Sequence, residues 1–157
     1  MRILVEKEGK IYRSMTIQSP DAFAAPTSNA AFPCLIWDHE GRFTEADRSS
    51  VAEALLDAGC QYAVCAGRDS DAWENAVDME FVARHLGDTE AERDRAHVMT
   101  TSHEGESEDE VAFFFVKCTN FDQHEFTDYL VLHVGTSGAR ETLNASVQQH
   151  ALSGEAV

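Results

Sequence analysis

Two places in this 157-residue chain set a histidine beside carboxylates at what reads as the end of a strand. One is Asp38-His39-Glu40, after the apolar run 32–37; the other is His103-Glu104, after Val98-Met99-Thr100-Thr101-Ser102. A neutral imidazole next to a carboxylate can take up a proton or bind a metal, the carboxylate orienting the ring and raising its basicity. Asp69 closes a further apolar run, so Asp38, Asp69, His103 and Glu104 form the candidate catalytic set. Thr101 and His103 lie two apart on an extended segment and so share a strand face. Gly135-Thr136-Ser137-Gly138 precedes a helical stretch whose first backbone N–H groups could hold an anion. Thr101, His103, Thr136 and Ser137 are therefore the candidate binding residues.

Each candidate also has a plainer reading. Asp38 to Gly41 reads as a polar turn opened by Asp and closed by Gly, and His103 as a loop residue satisfied by hydrogen bonds. Gly135 to Gly138 reads as an ordinary helix start, and His133 in Val131-Leu132-His133-Val134 as a hydrogen-bonded core histidine. Adjacent strand residues point to opposite faces, so Asp38 and His39 line one crevice only if the strand has ended. HExxH, paired Cys/His motifs, GxGxxG and GxxxxGK[ST] are all missing, so no metal and no cofactor are expected. Cys65 is too close to Arg68 for a phosphate-cradling loop and reads as a buried strand thiol. Ser102 beside His103 makes no triad by adjacency alone, because hydroxyl and imidazole must meet in space.

The elements that must position these residues follow from hydrophobic period and turn chemistry. Residues 2–17 alternate around Glu8-Gly9-Lys10, which predicts a β-hairpin. Residues 18–31 lack any period and read as a loop. Strands are predicted at 33–37, 61–66, 97–101 and 129–134. Thr44 with Asp47 offers a capping box for a helix striped by Val51, Ala54, Leu55 and Ala58 and stopped by Gly59. A second helix buries Trp73, Ala76, Val77 and Phe81, with Gly87 as its stop, and the charged stretch 88–95 faces solvent. Residues 111–117 read as a helix because Ser107 followed by Glu108, Asp109 and Glu110 is N-cap chemistry. A hairpin pairing 97–102 with 111–117 is the alternative. A final helix covers 139–150, and the last residues fray.

Hairpin followed by β-α alternation predicts an α/β fold: a three-layer sandwich with a mainly parallel sheet, flavodoxin-like or Rossmann-like, carrying an N-terminal β-hairpin. One domain spans 1–157, with the hairpin at 2–17 and the main body at 32–150. If the strands before Asp38 and His103 are parallel neighbours, their carboxyl ends meet in one crevice, where such sheets bind ligands. Trp73, Phe81, Phe114 and Leu132 are expected in the apolar layers.

Composition bounds the function classes. Hydrophobic residues at 43% and charged residues at 25% match a folded globular chain. A net charge of −16, from 28 acidic and 12 basic residues, opposes binding to nucleic-acid phosphates and to anionic membranes. It suits a basic protein partner; small acidic proteins that neutralise basic toxins or mimic DNA share this composition. Cys34, Cys60, Cys65 and Cys118 show no CxxC pair and read as free thiols in a reducing compartment. The opening Met1-Arg2-Ile3-Leu4-Val5 runs straight into Glu6-Lys7-Glu8, without the apolar stretch of a signal peptide, so a cytoplasmic location is expected.

Several segments carry a resemblance: Ala58-Gly59-Cys60-Gln61-Tyr62, Ala66-Gly67-Arg68-Asp69 with Trp73, Val77-Asp78, Val98-Met99-Thr100-Thr101 with His103-Glu104, Phe113-Phe114-Phe115, and Leu132-His133-Val134. Over residues 33–135 they resemble an uncharacterised bacterial domain family of unknown function. Ser102 stands where that pattern has tryptophan, and Arg68 where it has a lysine-like or small polar residue. The resemblance implies a bacterial origin and a compact domain, and it brings no activity, cofactor or site residue. The leading expectation is a non-enzymatic acidic module that binds a basic protein, in a setting such as immunity or defence. The alternative is a small hydrolase or metal-assisted enzyme with its site at the carboxyl edge of the sheet.

Overall fold

Phe-Pro-Cys-Leu-Ile-Trp-Asp in β3 (Phe32–Asp38) is buried at every position, and β6 (Asp128–Val134) at all but its first. Near-continuous apolar runs of this kind belong at the centre of a parallel sheet covered on both faces. The computed structural model describes residues 1–26, 30–120 and 125–153. Four further strands complete one sheet: β1 (Arg2–Lys7), β2 (Lys10–Ile17), β4 (Cys60–Gly67) and β5 (Met99–His103). Their spatial order is β1-β2-β6-β3-β4-β5, with β1 antiparallel to β2 and every other pairing parallel. The sheet is thus mixed but mostly parallel. Pro33 is tolerated in β3 because the ladder to β4 is irregular there and the pairing with β6 begins only at Cys34.

The hairpin forms as its sequence requires. Lys7 pairs with Lys10 across a two-residue loop, and both loop residues, Glu8 and Gly9, have positive φ (53° and 81°). That is the backbone whose twist matches the flanking strands.

The described residues form five α-helices, α1 (Glu45–Ala58), α2 (Ser70–Arg84), α3 (Glu90–Ala96), α4 (Glu108–Lys117) and α5 (Ala139–Leu152), of which all but α3 bury side chains against the sheet. Thr44 and Asp47 make the reciprocal capping box of α1, and Gly59 closes it at φ 104°. Ser107 caps α4 in the same way with Glu110, so 111–117 is helical and the hairpin alternative does not form. On one face, Val51 and Leu55 of α1 and Trp73 and Val77 of α2 meet Cys34, Ile36 and Leu132. On the other, Val111 and Phe115 of α4 and Leu143 and Val147 of α5 meet Leu35, Val64 and Val131.

Several expectations are corrected. Between Asp38 and His103 lies an intervening strand: β3 and β5 both flank β4 and are not neighbours. β5 starts at Met99 and reaches His103, so His103 is a strand residue rather than a loop residue. α2 ends at Arg84, before Gly87, because His85 already leaves helical geometry. The charged stretch, exposed as expected, contains α3, whose Thr89/Glu92 capping box starts a helix with no buried residue. Trp73 and Leu132 are fully buried and Phe114 packs partly against the core, whereas Phe81 is half-buried against His85 and His97. The expected fraying of the chain end falls on 154–157, outside the described residues, as do 27–29 of the expected loop.

The order of the wound strands makes one place special. β3 leads through α1 to β4, while β6, on the other side of β3, leads into α5 on the opposite face. Two neighbouring strands whose connections depart to opposite faces leave a crevice at their carboxyl ends.

Candidate functional site

The carboxyl end of β3 is shaped by Asp38. Its Oδ1 accepts the backbone N–H groups of Glu40 (3.1 Å) and Gly41 (2.8 Å), and its Oδ2 accepts the indole N–H of Trp73 at 2.8 Å. With both oxygens engaged and 1% of its surface exposed, Asp38 folds the turn and pins α2 to the sheet. Gly67 packs so closely here that a Cβ would stand 2.4 Å from the Asp38 carbonyl oxygen. The turn sends the chain back over the α5 face, and the His39 N–H donates to Val134 O at 2.8 Å, carrying the β3–β6 pairing one residue further.

His39 is thereby held over β6 and enters a chain of four side chains. Ser137 Oγ is 2.6 Å from His39 Nδ1, His39 Nε2 is 2.8 Å from His133 Nδ1, and His133 Nε2 is 2.8 Å from Asn144 Oδ1. The chain has one sense. The Asn144 amide oxygen can only accept, so His133 donates from Nε2 and its Nδ1 is a bare acceptor. That acceptor takes the Nε2–H of His39, whose own Nδ1 then accepts the Ser137 hydroxyl proton. The two rings lie nearly parallel, with centroids 5.0 Å apart.

Burial grades along the chain: Asn144, His133 and His39 are buried, and Ser137 is exposed. Burial pushes His133 down to about 4, opposed by the bond to Asn144 and reinforced by His39 and Arg140. Burial also lowers His39, against the raising influence of the nearby Asp38 and with the help of Arg140. Burial thus favours the neutral form of both rings, the form in which this hydrogen-bond sense holds. Ser137 Oγ also accepts the N–H of Ala139 at 3.1 Å, which places it at the positive end of α5.

Glu40 holds the loop that presents Ser137. Its Oε1 accepts the Thr136 N–H at 2.9 Å, and its side chain lies against Gly135, where a Cβ would meet Oε1 at 2.4 Å. A cavity of about 300 Å³ opens beside this loop, lined by Asp38, Glu40, Arg42, Phe43, Asp47 and Gly135 among others.

The other predicted residues sit elsewhere on the same edge. His103 is buried beneath Phe114; its Nδ1 is 3.0 Å from Glu106 and its Nε2 2.8 Å from Thr101, so Thr101 and His103 do share a face. Asp69 and Glu104 line a second cavity of about 460 Å³ at the ends of β4 and β5, to which Asp38 and His103 do not contribute. Ser102 donates to Asp71 rather than to a histidine. Among the described residues, no three His, Cys, Asp or Glu side chains gather as a metal set. Cys34, Cys60 and Cys65 are buried and free, their thiols pushed up by burial, Cys60 to about 12, and Cys118 is exposed and free. No helix among the described residues is long and apolar enough to cross a membrane.

Ser137 was legible as a residue of a Gly-rich turn, and His39 and His133 as single histidines. Asn144 was missed, and so was the connection. The usable signal is Gly135-Thr136-Ser137-Gly138-Ala139, one residue away from the GxSxG spacing of exposed nucleophilic serines, with a histidine two residues upstream in an apolar strand. The strained backbone of that motif is not present: among the described non-glycine residues only Glu8 and Asp69 have positive φ.

No match was found among curated proteins or among solved structures. A family model matches residues 12–150, running from within β2 to within α5 and including all four members of the hydrogen-bonded chain. The chain belongs to that family, DUF7684, a domain of unknown function.

Proposed function

We propose that the chain is a small acyl-transfer hydrolase in which Ser137 is the nucleophile and His39 the general base. The observation that carries this reading is the single sense of the Ser137–His39–His133–Asn144 chain, which leaves an unprotonated nitrogen facing an exposed hydroxyl. The wound strands run 3-2-1-4 in order of appearance, a Rossmann-like order, and the chain lies at their switch point.

In the proposed reaction, Ser137 Oγ bonds to the acyl carbon while its proton moves to His39 Nδ1. The carbonyl electrons pass to an oxyanion beside the positive end of α5. On collapse the leaving group departs with the proton from His39, and water attacks the acyl-serine by the same route in reverse. Asp38 and Glu40 flank the imidazolium and favour its formation. The chain ends on a neutral amide rather than a carboxylate, so turnover is expected to be slow beside a Ser-His-Asp enzyme.

A fluorophosphonate probe, which forms a P–O bond to an activated serine with loss of fluoride, tests this reading. Mass spectrometry is expected to place one adduct on Ser137, lost in Ser137→Ala and His39→Gln. Unlabelled wild-type protein, under conditions that label a control serine esterase, would overturn it.

A second reading, a cytoplasmic module for a basic protein partner, draws on the charge of −16 and on three exposed apolar side chains, Met79 and Val82 on α2 and Leu86 just beyond its end. It predicts a salt-labile complex, since screening shortens the reach of exposed charge from about 10 Å at 0.1 M to about 3 Å at 1 M salt. Capture that is insensitive to salt, or lost on no change to α2, would count against it.

A further inference from the structure

We infer that a cavity beside the first turn of α5 is an anion subsite, so that the acyl substrate of Ser137 carries a carboxylate or phosphate group. The inference rests on the Ser137 reading above. The cavity, of about 270 Å³, is lined by Arg2, Ser14, Thr16, Arg140, Glu141 and Asn144 among others. Two guanidinium groups from opposite ends of the described chain thus meet over one carboxylate. Arg2 Nη1 donates to Glu141 Oε2 at 3.2 Å, and Arg140 Nε is 3.8 Å from Oε1 of the same group. One positive charge is left over, in a chain whose total is −16.

The setting suits an anion in three further ways. Arg140 and Glu141 occupy the first turn of a 14-residue helix, where the backbone contributes positive potential. The hydroxyl of Thr16 accepts from Arg140 Nη1 at 3.3 Å, which lays across β2 a guanidinium of the kind that carboxylates and phosphates favour for two-pronged contact. Asn144 joins cavity and catalytic chain, since it lines the one and anchors His133 in the other. The backbone N–H of Arg140 also donates to the backbone carbonyl oxygen of Ser137 at 3.3 Å, which joins the two residues in one turn. The 300 Å³ cavity, lined by Gly135 two residues before Ser137, presents Asp38, Glu40 and Asp47 against Arg42 alone. An anionic substrate group is repelled there and directed toward Arg140. The charge of the whole chain opposes anions only at long range, where salt screens it; contact with Arg140 lies inside the screening length.

The test compares two aryl esters with the same acyl chain, one ending in a carboxylate and one in its methyl ester. Wild-type protein should prefer the anionic ester. Arg140→Gln should cut the anionic-to-neutral ratio of kcat/KM by about tenfold, the loss of one charge-assisted contact. Glu141→Gln, which removes the competing carboxylate, should raise it, and Arg93→Gln on α3 should leave it unchanged. In parallel, inorganic phosphate is titrated into Ser137→Ala while the Asn144 side-chain amide is followed by NMR. A saturating shift lost in Arg140→Gln is expected. Cleavage of both esters with a ratio indifferent to Arg140 and Glu141, and no phosphate shift, would overturn the subsite while leaving Ser137 as nucleophile. No cleavage of either ester with a saturating, Arg140-dependent phosphate shift would overturn the hydrolase and retain the anion site. Neither cleavage nor shift would overturn both.

Discussion

The two halves of the sheet's carboxyl edge use histidine differently. At the β5 end, His103 takes its partners from its own neighbourhood, Thr101 two residues before and Glu106 three after. At the β3–β6 junction, His39 reaches Ser137 and His133, separated from it by 98 and 94 residues, and His133 reaches Asn144 on α5. A local pair can form in any loop that closes on itself, and it satisfies a buried ring without implying more. A chain drawn from a turn, a strand, a loop and a helix exists only when the whole sheet is assembled. It costs the ordering of four groups, and its sense is set by one buried amide. The difference separates a histidine that helps hold the fold from histidines that can move a proton.

That contrast can be broken at each end. The largest expected effect is on turnover: Ser137→Ala should lower ester hydrolysis by about 10³-fold or more while the folded protein unfolds within about 1 kcal/mol of wild type, since Ser137 is exposed. Progress curves and denaturant titration on one sample check both halves. Asp38→Ala should instead act on stability. It strands the Trp73 indole N–H and two backbone N–H groups in a buried turn, at a cost of about 3 kcal/mol read from the denaturation midpoint.

The third effect is on pH. Burial lowers the folded-state pKa of His133 from 6.5 to about 4 and that of His39 in the same direction, so the folded protein binds fewer protons than the unfolded chain. Stability from these rings is complete above pH 6.5 and is lost as the pH falls toward 4, by about 3 kcal/mol for His133. Melting curves of wild type against His133→Leu should converge across that window. Hydrolysis should hold level above pH 6.5 and fall only below it, where His39 takes up a proton. The smallest effect belongs to the other half of the edge: His103→Ala should cost about 1–2 kcal/mol, measured by denaturation, and leave kcat/KM unchanged.

What could be read along the chain was what the chain encodes locally. Thr44 with Asp47, Gly59, and Ser107 ahead of three acids mark helix ends by chemistry that acts within one turn, and α1 and α4 lie where those residues place them. α3 escaped because its Thr89/Glu92 box precedes a helix with no apolar stripe. The lateral order of the strands was not legible, because it depends on which face each crossover helix takes, a property of packing rather than of any one segment. His39 and His133 were visible as residues but not as partners for the same reason: β6 comes to lie beside β3 only through the placement of α4 and α5. Asn144, one polar residue on a mid-helix turn, signals nothing until His133 stands opposite it.

The sense of the proton chain is the claim on which the rest stands, and long-range ¹H–¹⁵N correlation of the histidine rings at pH 7 tests it most directly. Both His39 and His133 are expected as neutral Nε2–H tautomers with bare Nδ1, and Ser137→Ala should move the Nδ1 resonance of His39 more than that of His133. A protonated Nδ1 on either ring, or a His39 that titrates at or above the ordinary 6.5, would contradict the account.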